Sequence, residues 1–150
     1  MTRVICLAAG AALSFAVAPG QPPQEQSGAR REQHEQFMMC AKACDDCARI
    51  CNACVTHCAH MVAEAKKEHL ATLRTCQDCA TACKAASETA GRMGPFAGVL
   101  CSACADVCKG CGEACEKIAD DQMMKQCADE CRKCEKACRA MVGHASRLGN

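Results

Sequence analysis

Six cysteines lie within nineteen residues of the chain, CAKACDDCARICNACVTHC from Cys40 to Cys58, at steps of four, three, four, three and four. Three further groups of cysteines keep steps of three or four, which place side chains along one face of a helix. A thiolate is a nucleophile, a redox group and a soft metal ligand, so the pattern could serve disulfide chemistry or metal binding. The 18 cysteines of the four groups are Cys40, Cys44, Cys47, Cys51, Cys54, Cys58, Cys76, Cys79, Cys83, Cys101, Cys104, Cys108, Cys111, Cys115, Cys127, Cys131, Cys134 and Cys138.

Helix geometry argues against disulfide bonds within one group. Side chains three or four residues apart on a helix have Cβ atoms about 5–6 Å apart, whereas a disulfide requires a Cβ separation of about 3.8 Å. Disulfide bonds between helices remain possible. A redox function, in which clustered thiols cycle with disulfides, also remains possible. Cysteine as a small buried apolar residue would explain one or two positions. Leucine or alanine would fill 18 positions without the risk of oxidation.

Charge decides which metal such a thiol-rich interior would hold. Many buried thiolates require cations that neutralise them, and zinc sites of four thiolates keep a net negative charge, so several of them on one axis would repel each other. Zinc ligands also usually lie on knuckles and loops, and iron–sulfur clusters take a few cysteines around one inorganic core. Cu(I) prefers soft thiolates, and a ratio of one ion per bridging thiolate gives a neutral core. Multiple Cu(I) ions are therefore the favoured cargo, with a zinc or cadmium sink as the alternative.

Four cysteine groups require four helices to position them. The sequence around the groups is rich in Ala, Glu, Lys, Arg and Gln, which favour helices. The segment Gly91–Pro95 ends the second helix, and Ala119–Asp121 offers an N-cap for the fourth. The first break, near Glu64–Glu68, contains neither Gly nor Pro. Short connections between four such helices predict an all-α fold, an antiparallel up-down four-helix bundle with a cysteine-lined core.

The amino-terminal region has the pattern of an export signal. Residues 1–20, MTRVICLAAGAALSFAVAPG, combine a basic start with an apolar run and small residues near its end, which is typical of a secretory signal peptide. The run is shorter than the roughly 20 apolar residues of a membrane-spanning helix. We therefore predict a signal peptide over 1–20, a flexible leader over 21–29 and a bundle domain over 30–150. The exported protein would be periplasmic, and it would be cytoplasmic if the start codon is mis-assigned.

Composition excludes several classes of function. The net charge is +1 with acids and bases interspersed, and Trp and Tyr are absent, so neither nucleic acid nor an anionic membrane is an expected partner once the signal is cleaved. The chain shows no Cys/His/Asn arrangement, no Gly-rich phosphate loop and no three-ligand motif with a marked open position. We therefore expect a binding protein and not an enzyme.

The repeated CxxxC and CxxC stripes on four helices resemble the bacterial copper storage proteins, whose four-helix bundles are lined with cysteines. The resemblance extends from about Arg30 to the end of the chain and implies storage of many Cu(I) ions, usually in a homotetramer, with all 18 cysteines named above as ligands. It also implies detoxification, or supply to a copper enzyme such as methane monooxygenase or to a chaperone. Family members with an export signal resemble periplasmic copper stores, and members without a signal resemble cytosolic stores. This chain lacks the twin arginines expected of an exported member. Its second helix departs from full occupancy, with Thr72 before Cys76 and Ala86 after Cys83.

The two ends of the predicted bundle carry different residues. One end gathers Met61, His69, Ile118 and Met124, with His57, His60 and Met123 nearby. Thioether and imidazole groups hold Cu(I) more loosely than thiolates, so we predict auxiliary copper uptake through Met61, His69 and Met124. Each Met could equally fill the core, and each His could be an exposed helix residue. The opposite end has the composition of an apolar plug and gathers Phe37, Met38, Met39, Met93, Phe96, Met141 and His144.

Overall fold

Four helices form the described part of the chain: α1 Pro23–Ala63, α2 His69–Gly91, α3 Ala97–Glu116 and α4 Gln122–Leu148. This computed structural model describes residues 23–148, with side chains from 27 to 143. Helix α1 packs against α2 and α4, and α3 packs against the same two helices. Neighbours in chain order that are joined by short connections make an antiparallel up-down bundle. The predicted all-α four-helix fold is confirmed.

The amino-terminal end of the described region is more helical than the sequence suggests. Helix α1 begins at Pro23, so residues 23–29, assigned above to a flexible leader, form its first turns. Proline is tolerated there because its missing N–H has no helical partner to lose. The predicted signal peptide, residues 1–20, lies outside the described residues. Among the described helices, none is both long and apolar enough to cross a membrane.

The α1–α2 connection reverses the chain without glycine or proline. Ala65 adopts the left-handed conformation with a φ of 66°. Ala65 N donates to Val62 O and Lys66 N donates to Met61 O, both at 3.0 Å. This is a Schellman motif, in which glycine is the usual left-handed residue. A side chain at that position costs about 1–2 kcal/mol, which explains why the sequence marks this turn so weakly.

The α2–α3 connection repeats the motif at the opposite end of the bundle. Met93 is the left-handed residue, with a φ of 52°, and its N–H donates to Ala90 O at 2.8 Å while Gly94 N donates to Thr89 O at 2.9 Å. A Cβ on Gly94 would lie 3.1 Å from Thr89 Cγ2 and 3.3 Å from Thr89 O. The glycine of the predicted break therefore permits a close approach, while the left-handed conformation falls on methionine.

Cysteine fills the interior where leucine or isoleucine would normally pack. All 18 cysteines predicted to line the core are at most 1% exposed, so the cysteine-lined core is confirmed. Alanines such as Ala86, Ala90 and Ala105 fill much of the remaining space, and Met124 and Met141 are the largest fully buried side chains. Because these side chains are small, thiols from all four helices meet on one axis.

Candidate metal centre

The structure brings together every cysteine that the sequence predicts as a metal ligand. All 18 are buried, free thiols, of which α1 contributes six, α2 three, α3 five and α4 four. Their spacing of three or four residues keeps each set on the inward face of its helix. The arrangement is therefore a column of sulfur atoms along the bundle axis, which we call the sulfur column.

Contacts within the sulfur column are continuous. The shortest join neighbouring helices, with Cys76 Sγ 3.3 Å from Cys54 Sγ and Cys44 Sγ 3.4 Å from Cys138 Sγ. Steps of at most 4.0 Å connect Cys101 at one end with Cys58 at the other. A soft metal ion bound about 2.3 Å from each of two sulfurs spans up to about 4.6 Å, so these gaps suit ions that bridge neighbouring thiolates.

Overlapping groups of four thiols make up the column. In each group the four Sγ atoms lie within 4.8 Å of one another. Cys47, Cys51, Cys76, Cys127 and Cys134 each belong to two of these groups. Shared members favour bridging thiolates over isolated sites with four ligands each. Five of the groups are Cys44/Cys104/Cys134/Cys138, Cys47/Cys51/Cys79/Cys131, Cys47/Cys83/Cys108/Cys134, Cys51/Cys76/Cys111/Cys127 and Cys54/Cys76/Cys115/Cys127.

Burial disfavours the charged form of the thiols in the metal-free column, while hydrogen bonds between thiols raise the pKa of some and, led by the contact with Cys108, lower that of Cys47. Burial, followed by the charge of Cys54, raises the pKa of the Cys58 thiol to about 12. Thiol hydrogen bonds, first with Cys111, hold the pKa of Cys131 above its ordinary value. Among the described residues no Lys or Arg is buried beside the thiols. One monovalent ion that replaces each thiol proton leaves the charge of the column unchanged.

Helix α2 interrupts the column at the two positions that the sequence indicates. Thr72 is 2% exposed and Ala86 is fully buried, so both face the axis without a thiol. Near Ala86, the last thiols of the column come from the other three helices: Cys40 Sγ lies 3.6 Å from Cys101 Sγ and 3.7 Å from Cys138 Sγ. This end of the column is a thiol triad and has no sulfur from α2.

The opposite end of the column stops at an imidazole. His69 is 3% exposed, and its Nδ1 lies 3.8 Å from Cys58 Sγ. Met124 is fully buried beside this layer, whereas the half-buried Met61 accepts a hydrogen bond from Lys66 Nζ at 3.4 Å. Of the three residues predicted for copper uptake, His69 and Met124 thus join the core, and Met61 lies nearer the surface.

A carboxylate that the sequence did not assign to this site holds a second imidazole in place. His57 Nε2 and Asp121 Oδ2 are 2.6 Å apart, and the His57 ring stands edge-on to His69, with centroids 5.9 Å apart. Asp121 Oδ1 also accepts the backbone N–H groups of Met123 and Met124, the N-cap predicted for the fourth helix. Partial burial opposes ionisation of Asp121, but the hydrogen bonds from His57 and from this backbone keep its pKa below the usual value.

The N-cap was visible in the sequence, and it is the only signal that could have pointed to Asp121. The residue reaches His57 because the α3–α4 connection passes beside the last turns of α1, which no local pattern encodes. An ionised carboxylate on Nε2 leaves Nδ1 of a neutral His57 as the free acceptor. His60, also named from the sequence, is exposed and stays outside the site.

The opposite end is closed by fewer apolar residues than the sequence suggests. Phe37 is 6% exposed and Met141 is fully buried, so these two cap the thiol triad. Met39 and Phe96 are 64% and 70% exposed, and Met38 and Met93 are half-exposed, so these four lie on the surface instead of in a plug. The side chain of His144 is outside the described residues.

Comparison with known proteins identifies the family. The copper storage protein family model matches residues 33–143. The chain belongs to the copper storage protein family. The match covers all four helices, from the last turns before Cys40 to the residues after Met141. Among curated proteins, none matches the chain.

Solved copper storage proteins have the same fold. The Cu(I)-bound copper storage protein BsCsp3 is 33% identical, with a TM-score of 0.64 over 69% of this chain and 94% of its own. Metal-free copper storage protein 3 from Bacillus subtilis is 35% identical, with a TM-score of 0.60 over 69% and 96%. A cytosolic copper storage protein from Streptomyces lividans, solved with five coppers, is 30% identical, with a TM-score of 0.69 over 75% and 97%. This chain therefore combines the cysteine stripes with the fold of solved copper storage proteins.

Proposed function

We propose that this protein stores many Cu(I) ions on the thiolates of its 18 core cysteines. The observation that carries the proposal is the sulfur column, in which each Sγ lies within 4.0 Å of another Sγ. A structural or redox role would need only separate pairs of thiols, whereas a column of shared ligands suits a series of ions. The Cu(I)-bound relative with the same fold supports this choice of metal.

Loading replaces protons by copper. Each incoming Cu(I) displaces one thiol proton, so the buried charge does not grow as the store fills. A divalent ion held by four thiolates would leave uncompensated negative charge in a core without buried cations. Filling by Cu(I) can therefore continue along the whole column, up to about one ion per thiol.

Copper uptake is proposed at the end that holds His69, Met124 and Met61. His69 is the residue through which the sulfur column meets a nitrogen ligand, at 3.8 Å from Cys58 Sγ. An imidazole or thioether releases Cu(I) more readily than a thiolate, so an ion captured there passes to Cys58 and on to Cys54, which is 3.9 Å away. Asp121 orients His57 over this route.

The role is binding and release, with no catalytic step. Stored copper would serve detoxification or supply to a copper enzyme or chaperone. We infer export to the periplasm from the signal-like residues 1–20, and a cytoplasmic store if that segment is not part of the natural start. We also infer a homotetramer, which the apolar residues Phe96 and Val99, both 70% exposed at the start of α3, support as contact surface. Molar mass by light scattering tests the tetramer.

Anaerobic Cu(I) titration of the reduced protein tests storage. We expect well over ten ions per chain, with helicity by circular dichroism nearly constant because the bundle is already formed. A redox protein would bind few ions and show reversible disulfides at functional potentials. A zinc or cadmium sink would retain those metals in competition, whereas a Cu(I) store gives up Zn(II) completely.

A further inference from the structure

A cavity of about 260 Å³ opens on the outer face of the bundle between α1 and α4. It lies near the thiol triad, at the end opposite His69. Neither the copper-binding core nor the proposed uptake route uses it. Its lining consists of Gln36, Met39, Cys40, Lys133, Lys136, Ala137 and Ala140.

The lining of this cavity includes both a surface side chain and a buried cysteine of the sulfur column. Met39 on its lining is 64% exposed, whereas Cys40 is 1% exposed. Cys40 Sγ in turn contacts Cys101 Sγ at 3.6 Å and Cys138 Sγ at 3.7 Å. The side chain of Met39 is unbranched and rotates easily, so the wall of the cavity next to Cys40 in sequence is adaptable. By contrast, the cavity of about 370 Å³ between α1 and α2 has Lys84 on its wall but no thiol.

Charge and size define what the cavity between α1 and α4 accepts. Lys133 Nζ is paired with Glu130 Oε1 at 2.6 Å, whereas Lys136 has no ion pair among the described residues. A free ammonium beside the small side chains of Ala137 and Ala140 favours an anionic group on a slender ligand. The volume is slightly below the lower end for small-molecule sites, about 300 Å³. A small molecule therefore fits better than a loop of another protein.

We propose that this cavity is a lateral port where a small thiol carrying carboxylate groups takes Cu(I) from Cys40. The inference rests on the proposed storage function. The incoming sulfur binds Cu(I) as its S–H proton passes to the Cys40 sulfur, and the bonds from Cu(I) to Cys40 and to the second core sulfur both break. Copper remains Cu(I) throughout, so the exchange needs no oxidant or reductant. Lys136 pairs with a carboxylate of the thiol and orients it towards Cys40.

Labelling of the metal-free, reduced full chain tests the port without copper. The probe is 5,5′-dithiobis(2-nitrobenzoate), a disulfide with two carboxylates; attack by the Cys40 thiolate forms a mixed disulfide and releases one thionitrobenzoate. Peptide mapping by mass spectrometry should find Cys40 modified first among the 18 core cysteines. Lys136→Glu should slow this reaction about threefold to tenfold, with no change for neutral 4,4′-dithiodipyridine. The matched control Lys84→Glu should change neither rate. Earlier labelling of Cys58, or equal effects of the two lysine variants, overturns the port.

Release from the copper-loaded chain provides the second measurement. Glutathione is added anaerobically, and transferred Cu(I) is followed with a chromogenic chelator. Lys136→Glu and the cavity-filling Ala140→Leu should each slow glutathione-dependent release about threefold or more, while Ala53→Leu, at an exposed position elsewhere on α1, should not. Normal release from fully loaded Lys136→Glu and Ala140→Leu overturns the port and leaves storage standing. A chain that binds fewer than about ten ions overturns storage, and the labelling result then still decides whether the port reaches Cys40.

Discussion

The sulfur column ends differently at the two ends of the bundle. At one end Cys58 Sγ faces the imidazole of His69 at 3.8 Å, and a second imidazole, His57, is held by Asp121. At the other end the thiol triad of Cys40, Cys101 and Cys138 lies beneath the buried side chains of Phe37 and Met141. The first end presents imidazole nitrogens to the column, whereas among the described side chains the second end presents none along the axis.

This difference between the ends suggests a direction for copper movement through the bundle. On the proposed route, an ion captured by an imidazole moves to a stronger ligand when it reaches Cys58, so uptake would proceed from this end inward. The thiol triad is the part of the column farthest from the proposed uptake end, and it lies beside the cavity that contains Lys136. Uptake at one end and removal near the other would let the protein fill and empty without reversing the same path.

The largest expected effect is the loss of helicity when buried thiols deprotonate, because both ends of the column contain such thiols. The pKa of Cys58 is raised from 9.0 to about 12, so folding favours the neutral form. This stabilisation is complete below pH 9.0 and is lost as the pH rises through about 12. We expect the metal-free bundle to lose most of its helicity over that range, while the Cu(I)-loaded bundle keeps it. Circular dichroism under reducing conditions checks this, and an intact metal-free bundle at the upper limit would contradict neutral packing.

A change at the imidazole end tests the difference itself. His69→Ala removes the nitrogen ligand in contact with the column, so loading should slow by about tenfold while capacity falls by no more than about one ion. Stopped-flow absorbance of the copper–thiolate bands measures the rate. Met141→Leu is the matched change at the capped end and should leave the rate unchanged. If both variants slowed loading equally, copper uptake would have no preferred end.

Removing single thiols sharpens the comparison between the middle and the end of the column. Cys108 Sγ lies 3.5 Å from Cys83 Sγ and 3.7 Å from Cys79 Sγ, whereas Cys101 Sγ touches the column through Cys40. Cys108→Ala should therefore lose about two ions and Cys101→Ala about one, with both variants still folded. Anaerobic titration and circular dichroism measure the two outcomes. Unfolding of Cys108→Ala would instead mean that the thiols mainly stabilise the fold.

The smallest expected effect compares the two connections, one at each end. Ala65 and Met93 both hold left-handed backbone, so Ala65→Gly and Met93→Gly should each stabilise the metal-free protein by about 1 kcal/mol, or about 4 °C in Tm. Thermal melts under reducing conditions check this. Gly94→Ala is the contrasting variant and should lower Tm, because its Cβ would lie 3.1 Å from Thr89 Cγ2. A rise in Tm for Gly94→Ala would contradict the close approach described here.

Periodicity was sufficient to predict the helices and the lining of the core. Steps of three and four fix the face of a helix, so each cysteine from Cys40 to Cys138 faces the axis, and Thr72 and Ala86 occupy the positions where the stripe on α2 lacks sulfur. Local chemistry also gave the N-cap at Asp121. These features depend on neighbours within one or two turns, and single-sequence patterns record such neighbours well.

Features that depend on how helices meet were beyond the sequence. The bond between Asp121 and His57 joins residues 64 positions apart, and no spacing rule predicts it. Met39 and Phe96 have the composition of a plug, but both are exposed, because Met39 falls outside the inward stripe of α1 and Phe96 lies at the N-cap of α3. Pro23 suggested a loop and instead begins α1, since proline suits both. The turn at Ala65 was weakly marked because it uses a residue that such turns normally avoid.

The scarcity of large side chains in the core links the lifetime of the protein to its cargo. Cysteine and alanine bury little apolar surface, and each missing methylene withholds about 0.8 kcal/mol, so packing alone holds the empty bundle weakly. Ions that join thiolates of different helices add their binding free energy to that of folding. Empty chains therefore unfold and meet proteases more often than filled ones. The copper supply would in this way control the lifetime of the protein that stores it, without a separate regulator.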